Sequence, residues 1–448
     1  MKKILLWSLV LVICISMTAT MSLAGCKKAA EEIAPAEEAA EEIEEEEAEE
    51  VVEEPVAKVV RVLAVAGPET DCLIENARKF EEETGITASI EQVARPLWGA
   101  RKVRELIEDS GIYDVVMIGG GDDPMWVKMQ GNWLPLNEYL TEEEVAVITH
   151  KDYFTYEGNL IGVPQYYNFP MLFYRKDLLE DPGEQSAFKE KYGRDLTVPK
   201  TYDELYEVAE FFNRPPDLYG FFIGGVDWSI FLDHTYFTYG MDGNYGNLES
   251  GELALNTTEQ KRAMRALTRM AEFNPPGWET LAFFDGDQLM LDGKIFMYQN
   301  WLYIWKTFLE QKPDEIGIAP PTGDVQPGAH LGAFVAVIPS VAPSPEAGVK
   351  FIQWMMGYEY QKDQVIATGN LPIREDVLED PEVREALVGI EMLKETLPYL
   401  SYQYTTWPGE LSSGVTEAIW KVLNGEMTSE EACDWMQNTK FADRKAIE

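Results

Sequence analysis

A strand–helix–strand unit opens the globular part of this chain and limits what the rest can be. Lys58 to Val65 alternates apolar with polar residues and then runs apolar, as a strand does when it enters an interior. Gly67-Pro68-Glu69-Thr70 breaks it. Asp71 to Thr84 carries Leu73, Ile74, Ala77 and Phe80 at helical spacing and ends at Gly85, and Ile86 to Val93 reads as a second strand. Two strands joined by a helix pair in parallel, and a parallel sheet needs helices over its faces, so the expected class is α/β with mostly parallel sheets. Trp98 to Asp109 reads as the next helix and Tyr113 to Ile118 as the next strand, stopping at Gly119-Gly120-Gly121; Asp122 to Met129 reads as a short helix. In open α/β sheets a ligand sits outside the carboxyl ends of the strands, so the loops after Val65 and Ile118 are candidate pocket walls.

Helical periods recur at Tyr202 to Asn213, Thr258 to Phe273, Ser344 to Met356 and Ser429 to Gln437. Thr201 with Glu204 three residues on has the spacing of a capping box. Strand signals recur at Leu172 to Tyr174, Gly220 to Ile223, Ile295 to Gln299 and Phe334 to Ile338. No internal repeat is visible.

What precedes the body decides the compartment. Lys2 and Lys3 begin the chain, Ile4 to Met21 is apolar, and Leu23-Ala24-Gly25-Cys26 places small residues ahead of a cysteine, the pattern of an export signal. An uncleaved membrane anchor is the competing reading, but small residues against a cysteine serve no purpose in a spanning helix. Residues 27–57 are mostly Glu and Ala; together with the signal they hold four lysines and fourteen glutamates, against a net charge of −41 for the chain. Such a segment buries too little apolar surface to order itself and reads as an acidic tether. The remaining 390 or so residues are too many for one ordinary core and suit two lobes. Their acidity argues against nucleic-acid and anionic-membrane partners. Beyond Cys26, the body's cysteines are Cys72 and Cys433, which read equally as one disulfide or two buried thiols.

Catalytic signatures are sparse. His150, His234 and His330 are the only histidines, none spaced for a metal, and no nucleophile elbow or phosphate loop with its lysine appears. No cofactor or metal is expected. Asp122 and Asp123 would repel a phosphate at the glycine run; Asp122 reads equally as a helix cap or as a carboxylate facing a cleft. Asp242-Gly243-Asn244 and Asp285-Gly286-Asp287 read as polar turns. Aromatic residues carry more information: Trp98, Trp126, Tyr166, Tyr167, Trp228, Trp301 and Trp407 lie near the ends of elements. Flat rings flanked by acids, amides and Arg95 suit the C–H faces and hydroxyl edges of a sugar. A pair of carboxylates able to hydrolyse a glycosidic bond would suit a secreted carbohydrate-active enzyme instead, but nothing local singles out such a pair.

Several stretches in order, spanning nearly all of residues 58–440, give the chain a family resemblance: Phe80 to Ile86; Tyr113-Asp114-Val115-Val116 with Trp133-Leu134-Pro135-Leu136; Tyr156 to Pro164; Phe173 to Leu178; Pro199 to Leu205; Gly293-Lys294-Ile295-Phe296-Met297; and Ser429 to Ala432. They resemble the extracellular solute-binding proteins of sugar-importing ABC transporters, the maltose-binding-like family, and Leu23 to Cys26 resembles a lipobox. Tyr202 stands where the family usually has Trp, and Phe296 where it has a small residue.

The resemblance implies a two-lobed periplasmic-binding-protein-like fold of type II with hinge crossovers. It implies an N-terminal lobe of 58–168 and 336–377, a C-terminal lobe of 169–330 and 395–448, and crossovers at 331–335 and 378–394. It implies a lipidated Cys26 outside the cytoplasm, a carbohydrate ligand, a permease partner, a monomer, membrane attachment by lipid alone and no catalysis. By position it implies ligand contacts at Glu69, Asp122 or Asp123, Tyr167, Asn168, the stretch from Trp228 to Asp233, Trp301, Trp407 and, with the family's usual double glycine missing, Phe334.

Overall fold

The structure is a computed structural model that describes residues 58–446 apart from 109, 120–131, 248–249, 402–404 and 406. Strand β1 (Val59–Val65) alternates exposed and buried residues before its last four are sealed, as its sequence predicts. It pairs in parallel along its whole length with β2 (Thr87–Val93) and more briefly with β3 (Val115–Gly119). Helix α1 (Pro68–Thr84) joins the first two. Pro68 presets its first turn, Glu69 and Asp71 complement its positive end, and Gly85 closes it in the left-handed region at φ 72°. Helix α2 (Arg95–Ile107) leads from β2 towards β3.

One strand enters this sheet in the opposite sense: β9 (Phe334–Val337) lies antiparallel to β3 on one side and to the short β4 (Val163–Pro164) on the other, giving the order β2-β1-β3-β9-β4. The second sheet has the order β8-β5-β7-β6, from β5 (Pro170–Arg175), β6 (Tyr219–Phe222), β7 (Ile295–Trp301) and β8 (Ile316–Ala319). Here only β6 and β7 are parallel. The βαβ expectation therefore holds where helices join consecutive strands, and both sheets become mixed where strands arrive from the crossovers.

Helix α3 (Tyr202–Phe212) starts with the expected reciprocal cap: Thr201 Oγ1 accepts from Glu204 N at 3.3 Å and Glu204 Oε2 accepts from Thr201 N at 3.4 Å. Helix α4 (Asp227–Gly240) gave no helical period because it is buried almost all round, from Ser229 to Gly240. Later helices used below are α5 (Asp285–Leu291), α6 (Pro381–Ala386), α7 (Ile390–Thr396) and α8 (Pro408–Leu423).

Apolar side chains gather in two clusters. One joins the first sheet to Phe173 and Tyr298 of the second and to Trp305 in the helix beyond it; the other holds Phe212, Phe296 and Leu411. Cys72 lies in the first and Cys433 in the second, both as free thiols, which decides against the disulfide alternative.

The chain passes between the sheets in adjoining segments. Asn168 N donates to Gly332 O at 2.8 Å and Gly332 N to Asn168 O at 2.6 Å, while Leu331 N donates to Ser401 O at 2.7 Å. Residues 331 and 332 thus bond to both neighbouring segments, at Ser401 and at Asn168. Residues 378–394 contribute α6 and α7, whose Val383, Leu387, Ile390 and Leu393 are buried.

Candidate ligand cleft

Glu69 stands where β1 has ended and α1 begins, at the carboxyl edge of the first sheet. It is only 9% exposed, its Oε1 accepts from Asn370 Nδ2 at 3.1 Å, and its carbonyl accepts from Gln165 Nε2 at 2.9 Å. Burial pushes its carboxyl up, opposed by its own backbone N–H, by the Asn370 bond and by the charge of Arg95. Beside it runs an aromatic row. Trp98 meets Phe334 edge-on at 5.9 Å, and Phe334 meets Tyr166 edge-on at 5.8 Å. Trp98 is pinned by its Nε1, which donates to Met117 O at 2.7 Å, and Lys102 Nζ lies 4.3 Å from its ring centre. Phe334 sits opposite Gly119, the last residue of β3, so the row follows the strand ends as the topological rule requires. Burial and the charge of Glu69 push the Tyr166 hydroxyl well up.

The second sheet supplies a facing group at the end of β7. Trp301 is partly exposed and meets His330 at 5.6 Å and Tyr236 at 6.2 Å, both edge-on. Its ring lies against Gly332, where a Cβ would come 2.4 Å from Cζ3 and force the ring to shift. Two residues on, Tyr303 Oη donates to Asp287 Oδ2 at 2.5 Å. Asp287 Oδ1 accepts from Tyr298 Oη and from Asn300 Nδ2, each at 2.6 Å. Burial pushes the Asp287 carboxyl up to about 6 against these three donors. Tyr303 is raised by burial, then by Asp287, and also by the charge of Glu69, which ties the two walls electrostatically. Asp233 is 3% exposed with one bond, from Gly224 N at 3.1 Å, and burial pushes it well up.

Glu69, Arg95, Trp98, Tyr166 and Phe334 are thus brought together on one wall, and Trp301 stands at the end of β7 of the second sheet, against the crossover. Tyr167 is sealed: its ring stacks on Phe154 at 6.4 Å and its hydroxyl donates to Thr149 O. Asn168 spends its backbone on Gly332 and its Oδ1 on Leu302 N at 2.9 Å. Trp407 is closed off by the end of the chain, with Nε1 donating to Lys445 O at 2.6 Å, Phe441 at 4.9 Å and Arg444 over the ring. In the structure these three make the tertiary contacts just described. Trp228 is 45% exposed beside Phe283 and Phe284 and lines a cavity of about 530 Å³ with Val226, Glu279 and Trp420, a lining that shares no residue with the Glu69 wall. Asp122, Asp123, Trp126 and Cys26 lie outside the described residues.

Sequence reasoning missed Tyr303, Asp287, Asn370, Gln165, Tyr236 and His330. Tyr303 had a usable signal, an aromatic just past a strand end, whereas Asp287 was absorbed into a polar turn. Among the described residues no cluster of three or more His, Cys, Asp or Glu side chains could hold a metal ion, and no helix is long and apolar enough to cross a membrane.

Two sheets linked by adjoining crossovers, with acid and aromatic groups at the strand ends between them, define a two-lobed binding protein. Residues 75–387 match the bacterial extracellular solute-binding protein family, and the chain belongs to that family. A probable ABC transporter-binding protein of Deinococcus radiodurans is 21% identical over 80% of this chain and 86% of its own. Among solved structures, an ABC transporter solute-binding protein of Thermotoga lettingae bound with α-D-tagatose is 22% identical, covers 86% of this chain and 99% of its own, and has a TM-score of 0.72. The maltose-bound MalE3 of T. maritima, also 22% identical, covers 84% of this chain and 97% of its own with a TM-score of 0.71. These likenesses establish the two-lobed fold.

Proposed function

We propose that this protein is the solute receptor of an ABC importer, that it traps a sugar or oligosaccharide between its lobes, and that it hands the sugar to a membrane permease. We assign 58–168 with 336–377 to one lobe and 169–330 with 395–448 to the other. The observation that carries the reading is the convergence on one region of Glu69, Arg95, Tyr166 and Phe334 from one side and Trp301 and Tyr303 from the other. Rings offer platforms to C–H faces, and the acid and amide groups accept hydroxyl protons. Supporting this, the solved relatives above hold tagatose and maltose.

A ligand that bridges the lobes favours the closed arrangement by its differential affinity, and adjoining crossovers tied by a few backbone bonds are the natural hinge. A sugar lacking one recognised hydroxyl would leave a buried partner unpaired at about 1–3 kcal/mol. Calorimetric titration with mono- and oligosaccharides tests the reading. Micromolar or tighter binding of at least one saccharide is expected; tight binding of an amino acid or metal with no saccharide binding would overturn it. The body carries no catalytic role in this reading and acts as a monomer. Its anchor is a lipid on Cys26, so Cys26→Ser should abolish incorporation of labelled fatty acid and release the protein from membranes.

A further inference from the structure

Asp287 is a buried carboxylate with an unusual set of partners. Three neutral donors reach it: Tyr298 Oη and Asn300 Nδ2 on Oδ1 and Tyr303 Oη on Oδ2. The other charge acting on it is a second carboxylate, Asp285. Glu69 differs, because the guanidinium of Arg95 offsets its charge. A phenol has one proton. With that proton committed to Asp287, Tyr303 turns only lone pairs towards its remaining surface, and that surface lies within the field of Glu69. The same wall leaves other acceptors open: Gln165 Oε1 and Asn370 Oδ1 are buried without a partner, while their amide nitrogens are spent on Glu69 and, for Gln165, also on Tyr360.

We propose that Asp287 is a positioning residue that fixes Tyr303 as a hydrogen-bond acceptor, so that the cleft selects hydroxyl- or ammonium-bearing sugars and rejects those carrying a carboxylate. The inference rests on the sugar-receptor reading above and narrows its ligand class. A carboxylate brought to Tyr303 would find no proton to accept and would face the uncompensated charge of Asp287. Like charges placed together at a desolvated interface cost several kcal/mol, more than tenfold in affinity. Protonating Asp287 relaxes both effects, since a neutral carboxyl can donate to Tyr303 and release the phenol proton towards the ligand. The groups facing Asp287 are Tyr298, Asn300, Tyr303 and Asp285, with Glu69 acting beyond Tyr303.

The test is calorimetry on the full protein with matched pairs: D-glucose against D-glucuronate, D-galactose against D-galacturonate, and maltose and D-glucosamine as further neutral and cationic probes. At pH 7.5 the neutral or amino sugars that bind should exceed any uronate at least tenfold. Lowering the pH to 5, where uronates stay ionised, should shrink that ratio severalfold in the unaltered protein. Asp287→Asn should shrink it at pH 7.5 and remove most of its pH dependence. Tyr303→Phe, which keeps the ring, should weaken the neutral sugar while leaving Asp287 in place. A uronate bound as tightly as its neutral partner, or a ratio unmoved by both pH and Asp287→Asn, would overturn this inference and leave the sugar receptor standing. Binding by no saccharide of any charge would overturn both.

Discussion

Trp301 and Trp407 look alike in sequence, each a tryptophan at the border of an element, yet they occupy opposite kinds of site. Trp301 ends a strand, keeps part of its ring open, and leans on His330, Tyr236 and the glycine of a crossover. Trp407 begins α8 and is sealed by Phe441, Arg444 and the carbonyl of Lys445. The difference lies in what the last turn of chain does. At Trp407 the C-terminal segment folds back and fills the space that a ligand would need. At Trp301 the crossover residue against the ring is Gly332, which has no side chain.

The sharpest break of this contrast is Trp407→Ala, which should cost about 3–5 kcal/mol of stability through the cavity left behind and leave sugar affinity of the folded protein unchanged. Urea unfolding paired with calorimetry checks both halves, and a loss of affinity would return Trp407 to the site. Next comes acid. The folded-state value of Asp287, about 6, lies above the ordinary 3.8. The folded protein therefore keeps a proton that the unfolded chain has lost between those values. Stability from this group is complete below about pH 4 and is lost as the pH rises through 6, worth about 3 kcal/mol in all. Asn300, next to Trp301, is one of its donors, so the effect belongs to the Trp301 side. Between pH 4.5 and 7.5 about 2 kcal/mol of that total is lost, so the difference in unfolding between these pH values should shrink by about 2 kcal/mol in Asp287→Asn and stay intact in Trp407→Ala. Third, Trp301→Ala should weaken sugar binding by about 2 kcal/mol, roughly thirtyfold in Kd, with a smaller loss of stability than Trp407→Ala. Smallest is Gly332→Ala, whose methyl meets the Trp301 ring; about 1 kcal/mol of strain should appear as a shifted Trp301 emission and a lowered Tm.

Local signals made much of the fold legible. The βαβ opening, the Thr201 cap and the strands around β7 and β9 are written in short-range pattern, and the structure keeps them within a few residues. Helix α4 was not legible, because burial on every side erases the period that marks a helix. The mixed sense of the sheets was hidden too, since the direction in which a crossover strand enters depends on partners far away in the chain. The site divided along the same line. Glu69 follows a strand end and Phe334 came through the resemblance of its hinge segment, whereas Tyr167, Asn168 and Trp407 meet partners at Leu371, Gly332 and Lys445 that lie far away in sequence. Asp287 matters through three donors, two of them side chains of the adjoining strand and one just beyond it, which no turn motif announces.

Cys72 and Cys433 sit in separate apolar clusters, and burial pushes their thiols up to about 11 and about 12. Neither supplies thiolate at neutral pH, and neither can find the other. Among the described residues no cysteine needs a partner, so the folding yield of residues 58–446 should be indifferent to thiol-oxidising machinery.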